Sequence, residues 1–114
     1  MKIGKYSHYV KGRVRTIGQN RTESKYAQEL ELEKKSGEIL WYAFEGIKLR
    51  LADNTFYTPD FFVMKKDGTL ECHEVKGFWE DDARVKIKVA AEHFPFRFIA
   101  IKYTRQGMEE EIFE

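Results

Sequence analysis

The spacing of apolar positions along this chain changes several times, and each change marks a predicted element. Residues 1–19 are polar and punctuated by Gly4, Gly12 and Gly18, which predicts a flexible or partner-ordered arm. A helical period begins after Asn20 or Thr22, either of which is a suitable N-cap, and runs to about Ser36, with Gly37 as a left-handed stop. Its inward stripe is Tyr26, Ala27, Leu30 and the stem of Lys34. Glu23 falls on the same stripe, four residues before Ala27 and seven before Leu30. Glu29 points away from the stripe and is expected to pair with Lys25 at i,i+4, with Glu31 and Glu33 at its edges.

The spacing then turns strand-like. Residues 39–51 (ILWYAFEGIKLRL) predict a strand that Gly46 can break, and Asp53-Asn54 supplies a turn. Residues 56–64 and 70–76 flank Lys66-Asp67-Gly68, which is the pattern of a β-hairpin closed by Gly77. Helical spacing returns over residues 80–94 through Ala83, Ile87, Ala90, Ala91 and Phe94. Glu80, Asp81 and Asp82 stand at the end favoured by the helix dipole, and Pro95 is a stop. The apolar run 96–103 should then lie parallel to the 70–76 strand, beside it or one strand away. The acidic tail 108–114 carries no clear period. The fold class expected is α/β (α+β), an α-β-β-β-α-β core with a mixed central sheet flanked by two helices. A basic arm over 1–19 precedes a single domain over 20–114.

Composition narrows the classes. A chain of 114 residues buries roughly two thirds of its unfolded surface, enough for a core without staples. One cysteine, Cys72, excludes an intrachain disulfide and a cysteine-rich zinc site, and reads as a small core residue. No apolar run reaches membrane-spanning length, so a cytoplasmic location without membrane contact is expected. The formal charge of +1 conceals an asymmetry. Residues 1–25 hold seven bases against Glu23 alone, a net +6, and the remainder carries −5. A basic arm with Lys5, Lys11, Arg13, Arg15 and Arg21, interleaved with Tyr6, His8 and Tyr9, suits a phosphate backbone and unstacked bases.

The candidate chemistry lies on the hairpin. Asp60 and Glu74 offer carboxylate oxygens, the Val75 carbonyl offers a third, and such hard donors suit Mg²⁺. Lys76 would orient or deprotonate an attacking water, or stabilise charge developing on phosphate. This set imposes a condition on the turn. A two-residue Asp67-Gly68 turn pairs Lys66 with Thr69 and places Asp60 opposite Val75, facing away from Glu74. A three-residue Lys66-Asp67-Gly68 loop with Gly68 in the left-handed region pairs Lys65 with Thr69 and sets Asp60 opposite Glu74. Glu74 and Lys76, two apart, share a strand face, while His73 points to the other and reads as structural. Arg84, Lys86 and Lys88 on the second helix, and Trp79 before it, are candidate nucleic-acid contacts. Phe78 reads as core, and His93 suits a helix C-terminus.

Tyr57-Thr58-Pro59-Asp60-Phe61 followed by Glu74-Val75-Lys76-Gly77-Phe78-Trp79-Glu80 resembles the PD-(D/E)xK nuclease superfamily. It is most similar to the phage endonuclease I (Holliday-junction resolvase) group and related small phage endonucleases. The likeness runs from about Arg21 to Ile101 and includes Asp81-Asp82-Ala83-Arg84 and the His93-Phe94-Pro95 helix end. It implies phosphodiester hydrolysis in DNA with Mg²⁺ or Mn²⁺, catalytic acids at Asp60 and Glu74, and the lysine at Lys76. A first-helix glutamate is implied as well, and counting from Gly37 it falls on Glu23, the acid already on the stripe. The resemblance further implies a homodimer, junction or other branched DNA as substrate, and the cytoplasm of a phage-infected bacterial host. Two features depart from endonuclease I: the sequence ends at Glu114 without a long basic extension, and its hairpin is slightly longer. The other readings are a nicking or accessory endonuclease in phage replication or packaging, and a non-catalytic DNA-binding module on a nuclease fold.

Overall fold

The computed structural model describes residues 18–76 and 81–114, with the backbones but not the side chains of Lys76 and Asp81. Helix α1 spans Arg21–Ser36 and is closed at both ends by its own sequence. At the front, Asn20 Oδ1 accepts the Glu23 N–H at 2.8 Å while Glu23 Oε1 accepts the Asn20 N–H at 3.1 Å, a reciprocal capping box. At the back, Gly37 takes φ +86°, and the Gly37 and Glu38 N–H groups return to Lys34 and Glu33 carbonyls. The buried stripe is Glu23, Tyr26, Ala27 and Leu30 as expected, but Lys34 is exposed. Glu29 does not pair with Lys25. Tyr103 donates to Glu29 Oε2 at 2.7 Å, and the Lys25 ammonium lies 4.4 Å from the centre of the Tyr103 ring, so both side chains meet at Tyr103.

The strands follow as β1 (Ile39–Phe44), β2 (Leu49–Ala52), β3 (Thr55–Tyr57), β4 (Phe61–Lys65) and β5 (Leu70–Lys76). Then come helix α2 (Asp81–His93), β6 (Arg97–Thr104) and β7 (Gly107–Phe113). The described residues are α+β, with a mixed five-stranded sheet ordered β1-β4-β5-β6-β7 and two helices. Among the described strands only β5 and β6 run parallel. They are joined through α2 and paired from Glu71↔Arg97 to Lys76↔Lys102, as the crossover requires.

One expectation needs correction. Residues 56–64 are not one strand: β3 stops at Tyr57 and β4 starts at Phe61, because Pro59 offers no N–H to a ladder and fixes its own φ. β2 and β3 consequently form a separate two-stranded hairpin, turned by Asp53-Asn54 with Asn54 at φ +53°. The acidic tail is ordered as the edge strand β7, antiparallel to β6 from Phe98↔Phe113 to Thr104↔Gly107.

The sheet carries a core on each face. α1 covers one face with Tyr26, Ala27 and Leu30 against Ile39, Phe61, Val63, Val75, Ile99 and Ile101. On the other face, Ile87 and Ala90 of α2 meet Leu49 and Tyr57 of the small hairpin and Cys72, Phe98, Ala100 and Phe113 of the sheet. Cys72 is 1% exposed, and burial, aided by the charge of Glu71, pushes its thiol up to about 12. Among the described residues no helix is long and apolar enough to cross a membrane.

Candidate functional site

The β4–β5 hairpin closes in the three-residue form. The Lys65 N–H donates to the Thr69 carbonyl at 2.8 Å, the Gly68 N–H returns to the Lys65 carbonyl at 2.9 Å, and Gly68 sits at φ +90°. Asp67 Oδ1 accepts the Thr69 N–H at 2.9 Å, and this bond holds its carboxyl below the usual range. A side chain at position 68 would have to enter the left-handed region, which is why glycine stands there. The ladder then pairs Met64↔Leu70, Val63↔Glu71, Phe62↔Cys72 and Phe61↔His73. The ladder ends there, and its register extended by one step is the one the carboxylate pair of Asp60 and Glu74 demands.

Both acids are nearly fully buried, Asp60 at 7% exposure and Glu74 at 5%. Asp60 follows Pro59 just beyond the end of β4 and is held through two of its groups. Its carbonyl accepts the Glu45 N–H at 2.7 Å on the β1 side, and its Oδ2 accepts the Val75 N–H at 2.8 Å on the β5 side. The side chain thus takes the place of a ladder acceptor that β4 no longer supplies. Glu74 Oε1 accepts the Tyr57 hydroxyl at 2.6 Å. Burial, together with the charges of Glu74 and Asp60, drives the Tyr57 phenol far above its ordinary range, so it stays protonated and remains a donor. Tyr57 is a site residue that sequence reasoning did not single out. The available signal was its place three residues before Asp60 in Tyr57-Thr58-Pro59-Asp60. The Lys76 backbone pairs with Lys102, in step with Glu74↔Ala100, and its side chain lies outside the description.

Glu23 is buried at 8%, as the stripe predicts, but among other neighbours. α1 lies on the sheet face of Phe61, Val63 and Val75, whereas Glu74 bonds Tyr57 within the core of the opposite face. The capping box accounts for Glu23's inward position. Among the described residues no three His, Cys, Asp or Glu side chains form a group that could hold a metal ion. What the structure assembles is a pair, Asp60 and Glu74, with the Val75 backbone beside it. Paired carboxylates from adjacent strands are hard oxygen donors, and in kind they fit Mg²⁺ or Mn²⁺.

The remaining candidates separate. Arg21 and Lys86 are exposed. Arg84, expected to reach phosphate, instead makes a bidentate bond to Glu111 (3.0 and 2.8 Å) and lies over the Phe113 ring, tying α2 to β7. Lys5, Lys11, Arg13, Arg15 and Trp79 fall outside the described residues.

His73 points away from Glu74, as alternation predicts, into a buried chain that sequence reasoning missed. The Tyr26 hydroxyl lies 2.7 Å from His73 Nδ1, and His73 Nε2 lies 2.8 Å from Glu71 Oε1. Burial keeps the Tyr26 phenol protonated, and its hydroxyl shares a hydrogen bond with Nδ1 while Nε2 faces the Glu71 carboxylate. Burial alone would raise the Glu71 carboxyl. The His73 hydrogen bond and charge, with Lys65 and Arg97, outweigh it and hold that carboxyl below its ordinary value. A carboxylate depressed in the folded state adds stability above its unfolded value, near pH 4.5, and that stability disappears as pH falls through the lower folded value. Thermal midpoints measured downward from about pH 6 should therefore drop on the acid limb. Glu71→Gln should flatten that limb; an unchanged slope would remove Glu71 from the account.

Comparison of the chain with family models, curated proteins and solved structures returns no match.

Proposed function

We propose that this protein is a metal-dependent DNA endonuclease of the PD-(D/E)xK kind, acting on branched or junction DNA. The observation that supports the reading is the hairpin register: the three-residue loop carries the ladder to Phe61↔His73, one step short of Asp60 and Glu74, two buried acids whose charges both act on Tyr57, with Lys76 two positions along β5.

Asp60, Glu74 and the Val75 carbonyl would hold a divalent ion, which when bound activates water and neutralises charge on the scissile phosphate. The chain's own groups act around that centre. Tyr57 fixes the Glu74 carboxylate through its hydroxyl, and the Val75 N–H fixes that of Asp60, so neither acid has to find its rotamer when DNA arrives. Lys76 would orient or deprotonate the attacking water, or stabilise the phosphate oxygens. Glu23 belongs to this set only if α1 contributes from the sheet's other face, and its capping role already explains its position. The preference for branched DNA and a homodimeric assembly rest on the sequence resemblance.

The test is nicking of supercoiled plasmid by the full chain with Mg²⁺ against EDTA, beside Asp60→Asn. Cutting that needs the metal and is lost in the variant supports the reading. DNA binding with equal inertness of both proteins would leave a non-catalytic binding module. A comparison of four-way junction, flap, single-stranded and plain duplex substrates then decides the substrate class.

A further inference from the structure

We propose that the outer face of the β2–β3 hairpin, formed by Lys48, Arg50 and Phe56, binds unpaired nucleotides of a nucleic-acid strand running toward Asp60. The proposal rests on the preceding reading for the identity of the substrate, and its own evidence is separate. The hairpin is two-faced. Leu49 and Tyr57 are buried against α2, with Ile47 and Leu51 packed around them, while Lys48, Arg50 and Phe56 turn to solvent. Arg50 and Phe56 are direct cross-strand partners, so guanidinium and ring share one face. The Lys48 ammonium lies 4.4 Å from the centre of the Phe56 ring. A large aromatic left 39% exposed on a strand, with one cation over it and another beside it, presents a π-surface and two phosphate partners together.

The present partners of these groups are ones a nucleotide can replace. The Arg50–Asp53 pair is 3.7 Å long and exposed on both sides, so it contributes little and yields its cation readily to a phosphate. Lys48 can swing from the ring to a neighbouring phosphate as a base stacks in its place. Position relative to the site completes the case. Phe56 is four residues from Asp60, a span of at most about 14 Å of extended chain, or roughly four stacked nucleotides. Tyr57, the next residue, is bonded to Glu74, so the hairpin is fixed directly to the carboxylate pair. A strand stacked on Phe56 would reach the site with its register set.

The experiment is fluorescence anisotropy of the full chain with a labelled single-stranded thymidine 20-mer and with a blunt duplex of the same length, in EDTA so that neither is cut. Phe56→Ala and the pair Lys48→Glu with Arg50→Glu should each weaken binding of the single strand about tenfold or more. Phe56→Tyr should keep it within roughly threefold, and the duplex should lose less than the single strand. Wild-type affinity in both disruptive variants, or no binding of the thymidine strand by the parent chain, overturns the proposal. Cross-linking the unaltered chain to a 5-iodouracil strand needs no variant, and adducts confined to residues outside 48–56 would also overturn it. Plasmid nicking by the parent chain is scored separately. Nicking without hairpin-dependent strand binding sinks this inference alone, and hairpin-dependent binding without nicking sinks the endonuclease reading alone.

Discussion

Asp60→Asn should lower magnesium-dependent plasmid nicking by roughly a thousandfold or more, with a thermal midpoint close to that of the parent chain. The substitution separates two roles of one side chain. Asparagine keeps a carbonyl oxygen where Asp60 Oδ2 now accepts the Val75 N–H, so the link between the end of β4 and β5 survives. What it removes is the negative charge that a divalent ion would need, which is worth several kcal/mol in the transition state. Asp60→Ala is the less informative variant. It would also strand the buried Val75 N–H, at a cost of about 1–3 kcal/mol, and mix loss of fold with loss of chemistry. Full nicking by the Asn variant would leave Asp60 as a backbone clip and nothing more.

Phe61→Ala should have the largest effect on stability, about 3–5 kcal/mol in chemical denaturation. Phe61 is fully buried and sits at the centre of an aromatic group. The rings of Tyr26 and Phe44 lie with centroids 5.5 Å away, and that of Tyr42 at 6.4 Å, all tilted. These rings come from α1 and β1, so the cavity could collapse only by moving a helix against an edge strand. Out of a typical total of 5–15 kcal/mol the loss is large, and the thermal midpoint should fall by at least about 12 °C. Because Phe61 is bonded directly to Asp60, any folded fraction should also show a disturbed site. A loss below about 1 kcal/mol would mean that these rings pack far more loosely than their spacing implies.

How much of this could be read in the sequence depended on whether local pattern and tertiary context agreed. α1 was legible because Asn20, its stripe and Gly37 all specify the same helix. The hairpin register was legible because Lys66-Asp67-Gly68 has the chemistry of one loop type, and the 70–76 strand, the second helix and the parallel strand after it followed from spacing and chirality. The small hairpin was only half legible: Gly46 as a break and Asp53-Asn54 as a turn were in the pattern, but residues 56–64 read as one continuous apolar run. Strands of four and three residues are too short to announce themselves, and Pro59 had to be weighed as a breaker. β7 has one buried residue, Phe113, and hence no alternation to detect. Glu23 shows a subtler limit. The stripe predicts its burial, and Asn20-x-x-Glu23 also spells the capping box that the structure forms with the same carboxylate. Arg84 was read as a surface cation because its partner, Glu111, lies in the tail that showed no pattern.

The one thiol in the chain carries a consequence for watching the protein at work. Cys72 is two residues from Glu74 on the same face of β5, and burial, which pushes its ionisation up to about 12, keeps it a thiol rather than a thiolate at neutral pH. An alkylating reagent meets a nucleophile there only when α2 or the small hairpin lifts from the sheet. The molecule therefore contains its own stopwatch for the opening of the strand that bears Glu74. Anything that clamps that strand shut slows the clock without a label being introduced.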